Sequence, residues 1–381
     1  MITTPITAEL LHGVADVEQT DRGIRPHRLP TWVREQFPDG QLLMVESQPS
    51  GVRLAVRTSA TRLELVLHPS RVGYRGAPRP RGRVDVLVDN VVTAADPLTG
   101  GDLLEIDLQT GASTPIPGPP HVTVVSDLAG TDSVVEFLLP HNESVELIEL
   151  RSDAPVEAVR HERRVWLHHG SSISHGSNAV GPSEIWPAVA ALRSNVQLRN
   201  LGFGGSAVVD PFMARVMRDT PADVISVKLG INVVNLDGMR VRTFVPAVHG
   251  FLDTIRDGHP TTPLLLVSPI FCGIHEDTPG PGAFDPASFG SGQVKFLATG
   301  DPAEVAAGKL TLQVIRRELR AVVERRADPH LHYLDGLALY GAEDAERLPL
   351  PDALHPDTQT HQLIGERFAD LAFGPSGPFG G

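Results

Sequence analysis

Short apolar segments alternate with helical segments from residue 165 to the C-terminus, and this alternation constrains the fold more than any other feature of the sequence. Five of the segments are typical of strands, at residues 165–167, 196–200, 224–229, 264–267 and 332–334. The segments between and after them are typical of helices, near residues 184–192, 211–218, 245–255, 302–326 and 359–373. Strands that are joined through helices pair in parallel, because a parallel connection must cross the whole sheet. Residues 156–381 are therefore predicted to form a doubly wound parallel sheet of about five strands, flanked by helices.

The first part of the chain, residues 1–155, has a different pattern. It contains short segments in which apolar and polar residues partly alternate, separated by turn-forming residues such as Gly100-Gly101 and Pro117-Gly118-Pro119-Pro120. The predicted strands are residues 52–57, 63–67, 84–88, 122–125, 134–139 and 145–150. Many short strands with little helical periodicity indicate a β-sandwich or jelly-roll domain, which could bind substrate or simply wall a cleft.

Charge and cysteine content narrow the class of protein. The formal net charge of −13 argues against nucleic-acid binding, which depends on positive groups that neutralise phosphates. The single cysteine, Cys272, cannot form an internal disulfide and is expected to pack in the interior. The sequence contains no secretory-type leader and no apolar run near the ~20 residues that span a bilayer. A cytoplasmic protein without membrane partners is the expectation.

Two Gly/Pro-rich segments interrupt these patterns. Residues 271–300 have no firm periodicity, and a loop of this length inside a compact domain suggests a pocket wall or lid. The other segment carries a cluster of arginines, for which a solvated loop is favoured over a phosphate site; they are Arg71, Arg75, Arg79, Arg81 and Arg83.

Chemically useful residues follow the predicted parallel strands. They stand in four motifs: Gly170-Ser171-Ser172-Ile173, Asn200-Leu201-Gly202-Phe203-Gly204-Gly205, Gly230-Ile231-Asn232 and Asp352-Ala353-Leu354-His355. Taken singly, each has a plain structural explanation, as a tight turn, a helix cap or a surface pair. Together they supply what acyl transfer needs: a nucleophile, a base, a group that orients the base, and donors for an oxyanion.

These four motifs resemble those of the SGNH (GDSL-type) hydrolase superfamily, over residues 160–375. The resemblance implies the flavodoxin-like parallel sheet of that family, with Ser172 as nucleophile, His355 as base and Asp352 as its orienting partner. It also implies an oxyanion hole made by the backbone N–H groups of Ser172 and Gly205 and the amide of Asn232. The chain departs from the family pattern at Ser171 and Val233, where aspartate is usual, but neither position belongs to the triad.

The resemblance leaves the acceptor of the acyl group open. A β-sandwich followed by an SGNH domain resembles carbohydrate acetyl esterases. It also resembles actinomycete acyltransferases of polyketide tailoring, of the type that attaches a salicylyl group to a tetracycline scaffold. The second resemblance implies acyl-CoA as co-substrate and a small-molecule hydroxyl as acceptor, and it is favoured because no export signal is seen. A noncatalytic glycan-binding protein is disfavoured, because all five catalytic positions are filled.

No bound cofactor or metal is expected, since His168, His169 and His175 lack a ligand spacing with acidic partners and should pack or line the pocket entrance.

Overall fold

The chain consists of two compact units. The structure, a computed structural model, describes residues 1–75, 80–107, 110–160, 162–289 and 293–380. One unit contains Met1–Glu162 and Val180–Glu184, and the other contains Arg163–Ala179 and Ile185–Gly381. The first unit extends beyond the predicted boundary at residue 155 because Val156–Ala158 forms a strand that pairs with Arg53–Thr58.

The first unit is built from two sheets. Its strands are β1 (Ile2–Thr4), β2 (Leu11–His12), β3 (Asp16–Gln19), β4 (Ile24–His27), β5 (Arg53–Thr58), β6 (Leu63–Tyr74), β7 (Arg83–Val88), β8 (Val91–Pro97), β9 (Asp102–Ile106), β10 (Ser113–Ile116), β11 (His121–Val125), β12 (Ser133–Leu138), β13 (Ser144–Ser152) and β14 (Val156–Ala158). One sheet has the order β10-β9-β6-β13-β4-β3, with β1 paired to β13 and β11 paired to β6. The other has the order β14-β5-β12-β7-β8, with β2 paired to β5.

Alternate residues of both sheets fill one shared core, which makes this unit a β-sandwich, as predicted. The core side chains recur with period two along their strands, including Leu54, Val56, Leu65, Leu67, Val84, Val86, Val135 and Phe137, all fully buried. Complete burial of such a side chain contributes roughly 1.5–3 kcal/mol. The six predicted strands are all present, whereas strands with a polar or exposed pattern, such as β3 and β10, could not be recognised from periodicity.

Two further features of the first unit could not be taken from the sequence alone. It contains two short helices that were not predicted, α1 (Thr31–Gln36) and α2 (Gly40–Glu46), the second capped by Asp39. The arginine cluster is largely paired with carboxylates: Arg75 with Glu105 and Asp107, Arg81 with Glu143, and Arg83 with Asp85 and Glu184. Arg79 lies outside the described residues.

The second unit contains the predicted parallel sheet. Its strands are β15 (Val165–Gly170), β16 (Gln197–Gly202), β17 (Val224–Lys228), β18 (Leu264–Val267) and β21 (Leu331–Leu334), in the order β16-β15-β17-β18-β21. This is the flavodoxin-like order 2-1-3-4-5, with every neighbouring pair parallel. All residues of β17 and β18 are buried, which explains their continuous apolar sequences. β15 lies between β16 and β17, so the ends of these three strands are neighbours.

Helices connect these strands. They are α3 (Ser172–His175), α4 (Trp186–Arg193), α5 (Pro211–Asp219), α6 (Ile231–Asn235), α7 (Val241–Gly258), α8 (Leu312–Arg326), α9 (Ala342–Arg347) and α10 (Thr358–Phe368), the last continued by a π-helical turn at Ala369–Phe373. The single helix predicted at residues 302–326 is wrong in its first part. That part is a 3-10 helix, Pro302–Ala307, which ends at Gly308 in the left-handed region with φ 91°. α8 then starts anew, with the Thr311 side chain accepting a hydrogen bond from the backbone N–H of Val314.

The long segment after β18 carries some regular structure. It contains a 3-10 turn, Gly273–His275, and a two-stranded hairpin of β19 (Gly282–Phe284) and β20 (Phe296–Ala298). Residues 290–292 of the predicted wall or lid lie outside the described residues. None of the helices in the described ranges combines the length and the apolar character that crossing a bilayer requires.

Candidate active site

Ser172 lies at the turn between the interior strand β15 and the short helix α3. β15 ends at Gly170, Ser171 is the N-cap residue of α3, and Ser172 is its first residue. The Ser171 hydroxyl accepts a hydrogen bond from the backbone N–H of Ile173 at 3.3 Å, as helix-capping serines do. The Ser172 backbone N–H has no hydrogen-bond partner within the described ranges, because it occupies the first helical position. A hydroxyl and a free N–H therefore stand together at the carboxyl edge of the sheet.

Two glycines allow α3 to lie directly on the strand ends. Gly170 and Gly202 are register partners on β15 and β16. A Cβ at Gly170 would come within 2.3 Å of Ser174 Oγ, and one at Gly202 within 2.5 Å of the His175 backbone nitrogen. The Asn200 side chain ties the same parts together, since its Nδ2 donates to the Ser174 carbonyl oxygen and its Oδ1 accepts from the Gly202 N–H, each at 2.9 Å. The position of Ser172 thus depends on a close approach of α3 that leaves no room for a side chain at these two glycines.

The structure brings Ser172, His355 and Asp352 into one hydrogen-bonded chain. Ser172 Oγ lies 2.9 Å from His355 Nε2, and His355 Nδ1 lies 2.8 Å from Asp352 Oδ2. These two contacts fix the ring: Nδ1 donates to the carboxylate, which leaves the Nε2 lone pair facing the Ser172 hydroxyl. Residues 183 positions apart in sequence are thereby joined, in the arrangement that a nucleophile, a base and an orienting acid require.

Asp352 is buried, yet its environment favours the charged form. Burial opposes ionisation, but hydrogen bonds from the His355 ring and from the backbone N–H groups of His355 and Leu354 outweigh it and lower the pKa of Asp352. Oδ1 accepts from these backbone groups at 2.7 and 2.9 Å. Oδ2 also accepts from Asn178 Nδ2 at 3.0 Å. A carboxylate with this many donors remains ionised and holds the imidazole in a single orientation.

The Asp352–His355 turn is supported from the long segment after β18. Its second residue, Ala353, is in the left-handed region with φ 67°, which is unfavourable for a residue with a Cβ. The Ala353 carbonyl oxygen accepts from the Cys272 thiol at 3.4 Å. The Asp352 carbonyl oxygen accepts from the Phe296 N–H at 2.9 Å. These contacts stabilise the turn that presents His355.

Gly205 and Asn232 lie on either side of the nucleophile turn. Gly205 is in the turn that follows β16, with φ 73°, and its N–H has no partner within the described ranges. Asn232 is on α6, which follows β17, and it is buried. The Asn232 Oδ1 accepts from the Ala207 N–H at 3.1 Å, so the amide group has its Nδ2 hydrogens left as donors. The strand order thus brings two candidate oxyanion donors to the strands that flank β15.

The third serine of the motif, Ser174, has a different environment. Its Oγ lies 2.8 Å from His168 Nε2, and His168 Nδ1 lies 2.7 Å from Ser226 Oγ. Trp166 Nε1 donates to the same Ser226 oxygen at 2.8 Å. Burial lowers the pKa of His168 well below its ordinary value, so this imidazole is neutral. Ser174 therefore belongs to a buried network beneath α3, and Ser172 is the serine that faces His355.

The remaining histidines near the motif are interior residues. His169 is buried against Phe251, with Nδ1 2.8 Å from the Leu201 carbonyl oxygen, and burial lowers its pKa to about 4. His175 is also buried. Over the described ranges, no three His, Cys, Asp or Glu side chains group closely enough to hold a metal ion.

Several residues that surround the site were not singled out from the sequence. Asn178 and Phe296 contact the Asp352–His355 turn, and Cys272 was expected only to pack. The residues at the two departures from the family pattern have structural roles, since Ser171 caps α3 and Val233 is buried. Of these residues, only Asn178 could have been noticed in the sequence. An asparagine after Gly176-Ser177 favours a left-handed turn, and the φ of Asn178 is indeed 67°.

The chain is similar to known proteins in sequence and in structure. The model of the GDSL-like lipase/acylhydrolase family matches residues 169–363, just over half of the 381-residue chain. A salicylyl-acyltransferase from a tetracycline biosynthetic pathway has a similar structure, with a TM-score of 0.78 and 26% identity over 96% of this chain and 95% of that chain. No curated protein sequence matches the chain significantly.

Two further solved structures share the fold at lower identity. A putative GDSL-like lipase from Bacteroides ovatus has a TM-score of 0.64 and 15% identity, over 94% of this chain and 93% of that chain. A family two carbohydrate esterase from Clostridium thermocellum has a TM-score of 0.53 and 14% identity, over 84% of this chain and 90% of that chain. Each similarity covers at least 84% of this chain, so it includes N-terminal strands as well as the parallel sheet.

Proposed function

The chain belongs to the GDSL-like lipase/acylhydrolase family, and from this premise we propose that Ser172, His355 and Asp352 carry out acyl transfer through an acyl-enzyme on Ser172. As a member of this family, it is an acyltransferase or an ester hydrolase. The observation that carries the proposal is the hydrogen-bonded chain from Ser172 Oγ to His355 Nε2 at 2.9 Å and from His355 Nδ1 to Asp352 at 2.8 Å.

In the first step His355 Nε2 takes the Ser172 proton while Oγ forms a bond to the acyl carbon. The carbonyl oxygen becomes an oxyanion, for which the N–H groups of Ser172 and Gly205 and the Asn232 amide are the donors. The bond to the leaving thiolate or alkoxide then breaks, and His355 returns the proton to it. In the second step an acceptor O–H gives its proton to His355 and its oxygen attacks the acyl carbon, after which Ser172 leaves and is reprotonated. Asp352 holds the ring and stabilises its charged form throughout.

We infer that the acceptor is a hydroxyl of a small, polyketide-like natural product and that the donor is an acyl-CoA thioester. Similarity to the salicylyl-acyltransferase supports this choice, because it covers 96% of this chain at 26% identity. The alternative is hydrolysis of acylated carbohydrates or other small esters, which similarity to the carbohydrate esterase favours at 14% identity. A noncatalytic glycan-binding role is the least favoured, since the triad is complete.

The nucleophile is tested by comparing two serines of the same motif. Ser172→Ala should reduce thioester consumption by about 10³-fold or more, because the acyl-enzyme cannot form. Ser174→Ala is the matched control: it should keep most of the turnover but lower the free energy of unfolding by about 1–3 kcal/mol, because His168 Nε2 loses its partner. Folding is checked by urea unfolding of both variants. Normal turnover by folded Ser172→Ala protein would exclude the proposed mechanism.

Transfer and hydrolysis are separated by the fate of the acyl group. Release of free coenzyme A from acyl-CoA is followed with and without a hydroxyl acceptor, together with mass spectrometry of the acylated products. The proposal expects the acceptor to accelerate release and to carry the acyl group. Release that is indifferent to the acceptor and yields only the free acid would favour the esterase alternative.

A further inference from the structure

The β19–β20 hairpin carries a pair of phenylalanines on two strands that have only apolar residues. Phe284 and Phe296 are register partners, and their ring centroids are 5.0 Å apart. The two strands read Gly-Ala-Phe and Phe-Leu-Ala, so neither offers a polar side chain. The two strands therefore present an aromatic surface without side-chain hydrogen-bonding groups.

This aromatic pair is attached directly to the base of the proposed triad. The Phe296 ring meets the His355 ring edge-on, with centroids 5.5 Å apart and an interplanar angle of 77°. The backbone N–H of Phe296 donates to the Asp352 carbonyl oxygen at 2.9 Å. An apolar surface thus runs from the His355 imidazole across Phe296 to Phe284.

The outer ring of the pair remains in contact with solvent. Phe284 is 56% exposed, although its ring contacts that of Phe296. Exposed aromatic rings that extend from a reactive centre are typical of a binding surface, because a ligand that covers them gains the hydrophobic contribution. Phe289 lies in the same segment and is 59% exposed, but it makes no aromatic contact within the described ranges.

The position beside His355 determines which part of the reaction this surface serves. The acyl carbonyl oxygen must point at the oxyanion donors. The incoming hydroxyl must instead come within hydrogen-bonding distance of His355 Nε2, since this atom takes its proton. A surface that flanks the His355 ring consequently flanks the position that the leaving group vacates and the acceptor then occupies.

We propose that Phe284 and Phe296 form an acceptor subsite that selects a planar aromatic alcohol. This inference rests on the proposed function, because it assumes that Ser172 carries the acyl group and that an alcohol receives it. An aromatic ring stacks on the pair without needing polar partners. A sugar could also lie against a phenylalanine, but its hydroxyls require hydrogen-bonding groups, which the side chains of these two strands lack.

Binding of a model acceptor tests the subsite without any acyl donor. The probe is 2-naphthalenemethanol, and its dissociation constant is obtained by calorimetric titration of the full-length protein. Phe284→Ala should weaken binding about tenfold, and Phe284→Tyr should restore most of it, because a ring is present again. Phe289→Ala is the matched control, with similar exposure but no ring partner among the described residues, and should leave the dissociation constant unchanged within about twofold. Methyl β-D-glucopyranoside should bind more weakly than the naphthyl alcohol.

Kinetics then connect the subsite to transfer. With an N-acetylcysteamine thioester as donor, whose leaving group is not aromatic, Phe284→Ala should raise the KM for 2-naphthalenemethanol about tenfold, with a smaller effect on kcat. Equal effects of Phe284→Ala and Phe289→Ala, or tighter binding of the glucoside, would overturn the subsite. These results would leave the triad intact if Ser172→Ala still abolishes thioester consumption. Persistent consumption by Ser172→Ala would instead overturn the proposed function.

Discussion

The Cys272 thiol donates a hydrogen bond to the carbonyl oxygen of Ala353, the residue that follows Asp352, across a distance of 3.4 Å. Ala353 has a left-handed backbone, so this turn gains from any contact that holds its carbonyl in place. Burial, assisted by the nearby Glu276 carboxylate, raises the pKa of Cys272 to about 12. The thiol therefore remains protonated and able to donate throughout the neutral pH range.

Cys272 should consequently resist alkylation in the folded protein. Iodoacetamide reacts with the thiolate, and at pH 8 a thiol with a pKa of about 12 is ionised only to about one part in 10⁴. Mass spectrometry after incubation at pH 8 should find the native protein unmodified. The same protein unfolded in guanidinium serves as control and should take up one carbamidomethyl group. Rapid modification of the native protein would contradict the buried, protonated state.

The proposed role of Asn232 can be tested with a substitution of nearly identical shape. Asn232→Asp retains an oxygen that can accept from the Ala207 N–H, so the loop after β16 should keep its position. It replaces the Nδ2 donor by a second acceptor, which should lower kcat by about 10²–10³-fold with little change in KM. Asn232→Ala should lose as much activity and, in addition, some stability. An Asn232→Asp variant with nearly normal kcat would remove Asn232 from the oxyanion hole.

Asn178 provides a test of how far the Asp352 carboxylate depends on its partners. Asn178→Gly keeps the left-handed backbone but removes the Nδ2 donor to Asp352 Oδ2, and kcat should fall by about three- to tenfold. Asn178→Asp should have a larger effect, because a second carboxylate beside Asp352 raises the pKa of Asp352 and weakens its hold on His355. Its activity should therefore be lost at a higher pH on acidification than that of the natural protein. Identical pH–rate profiles for the two variants would argue against this electrostatic contribution.

Asp344 should make the free energy of unfolding of the second unit dependent on pH in the acidic range. Hydrogen bonds from Arg367, opposed by burial and aided by the Gly341 N–H, lower the pKa of Asp344 to about 2 from 3.8. Because the folded-state pKa is the lower one, the stabilisation is complete above pH 4 and is lost as the pH falls toward 2. Asp344→Asn should reduce the free energy of unfolding by about 2 kcal/mol at pH 7 and by about half as much at pH 3.

Urea unfolding at the two pH values measures this difference. Asp370→Asn is the control, because the Asp370–Arg193 pair is exposed, with side-chain exposures of 65% and 52%, and should contribute little at either pH. A destabilisation by Asp344→Asn that does not change between pH 7 and pH 3 would assign its effect to packing instead of charge.

The parallel sheet could be predicted because burial on both faces makes its strands apolar throughout. β17 and β18 are such strands, and the helical periods between the strands indicate parallel connections. The proximity of Ser172, Asp352 and His355 could be expected as well, because each stands in a motif that resembles one of the SGNH family. What the sequence could not indicate were contacts made across long separations by residues with no motif of their own.

Asn178 and Cys272 are examples of such contacts. They lie 174 and 81 positions from their partners in the Asp352–His355 turn, so only the folded chain brings them there. The break between Pro302–Ala307 and α8 was missed for another reason. A single glycine, Gly308, and the capping Thr311 override a helical period that otherwise continues through both segments.

The assignment of Val180–Glu184 to the first unit limits how this gene can be recombined. The segment lies in sequence between two parts of the second unit, yet Ser183 bonds Asp85 through both its N–H and its hydroxyl, and Glu184 pairs with Arg83. A single crossover near residue 162 would exchange Arg83 and Asp85 while retaining Ser183 and Glu184 from the other parent. Chimaeras of such enzymes should therefore inherit these four residues together, which requires two exchanges. The two units are consequently not interchangeable modules, although each has its own sheet.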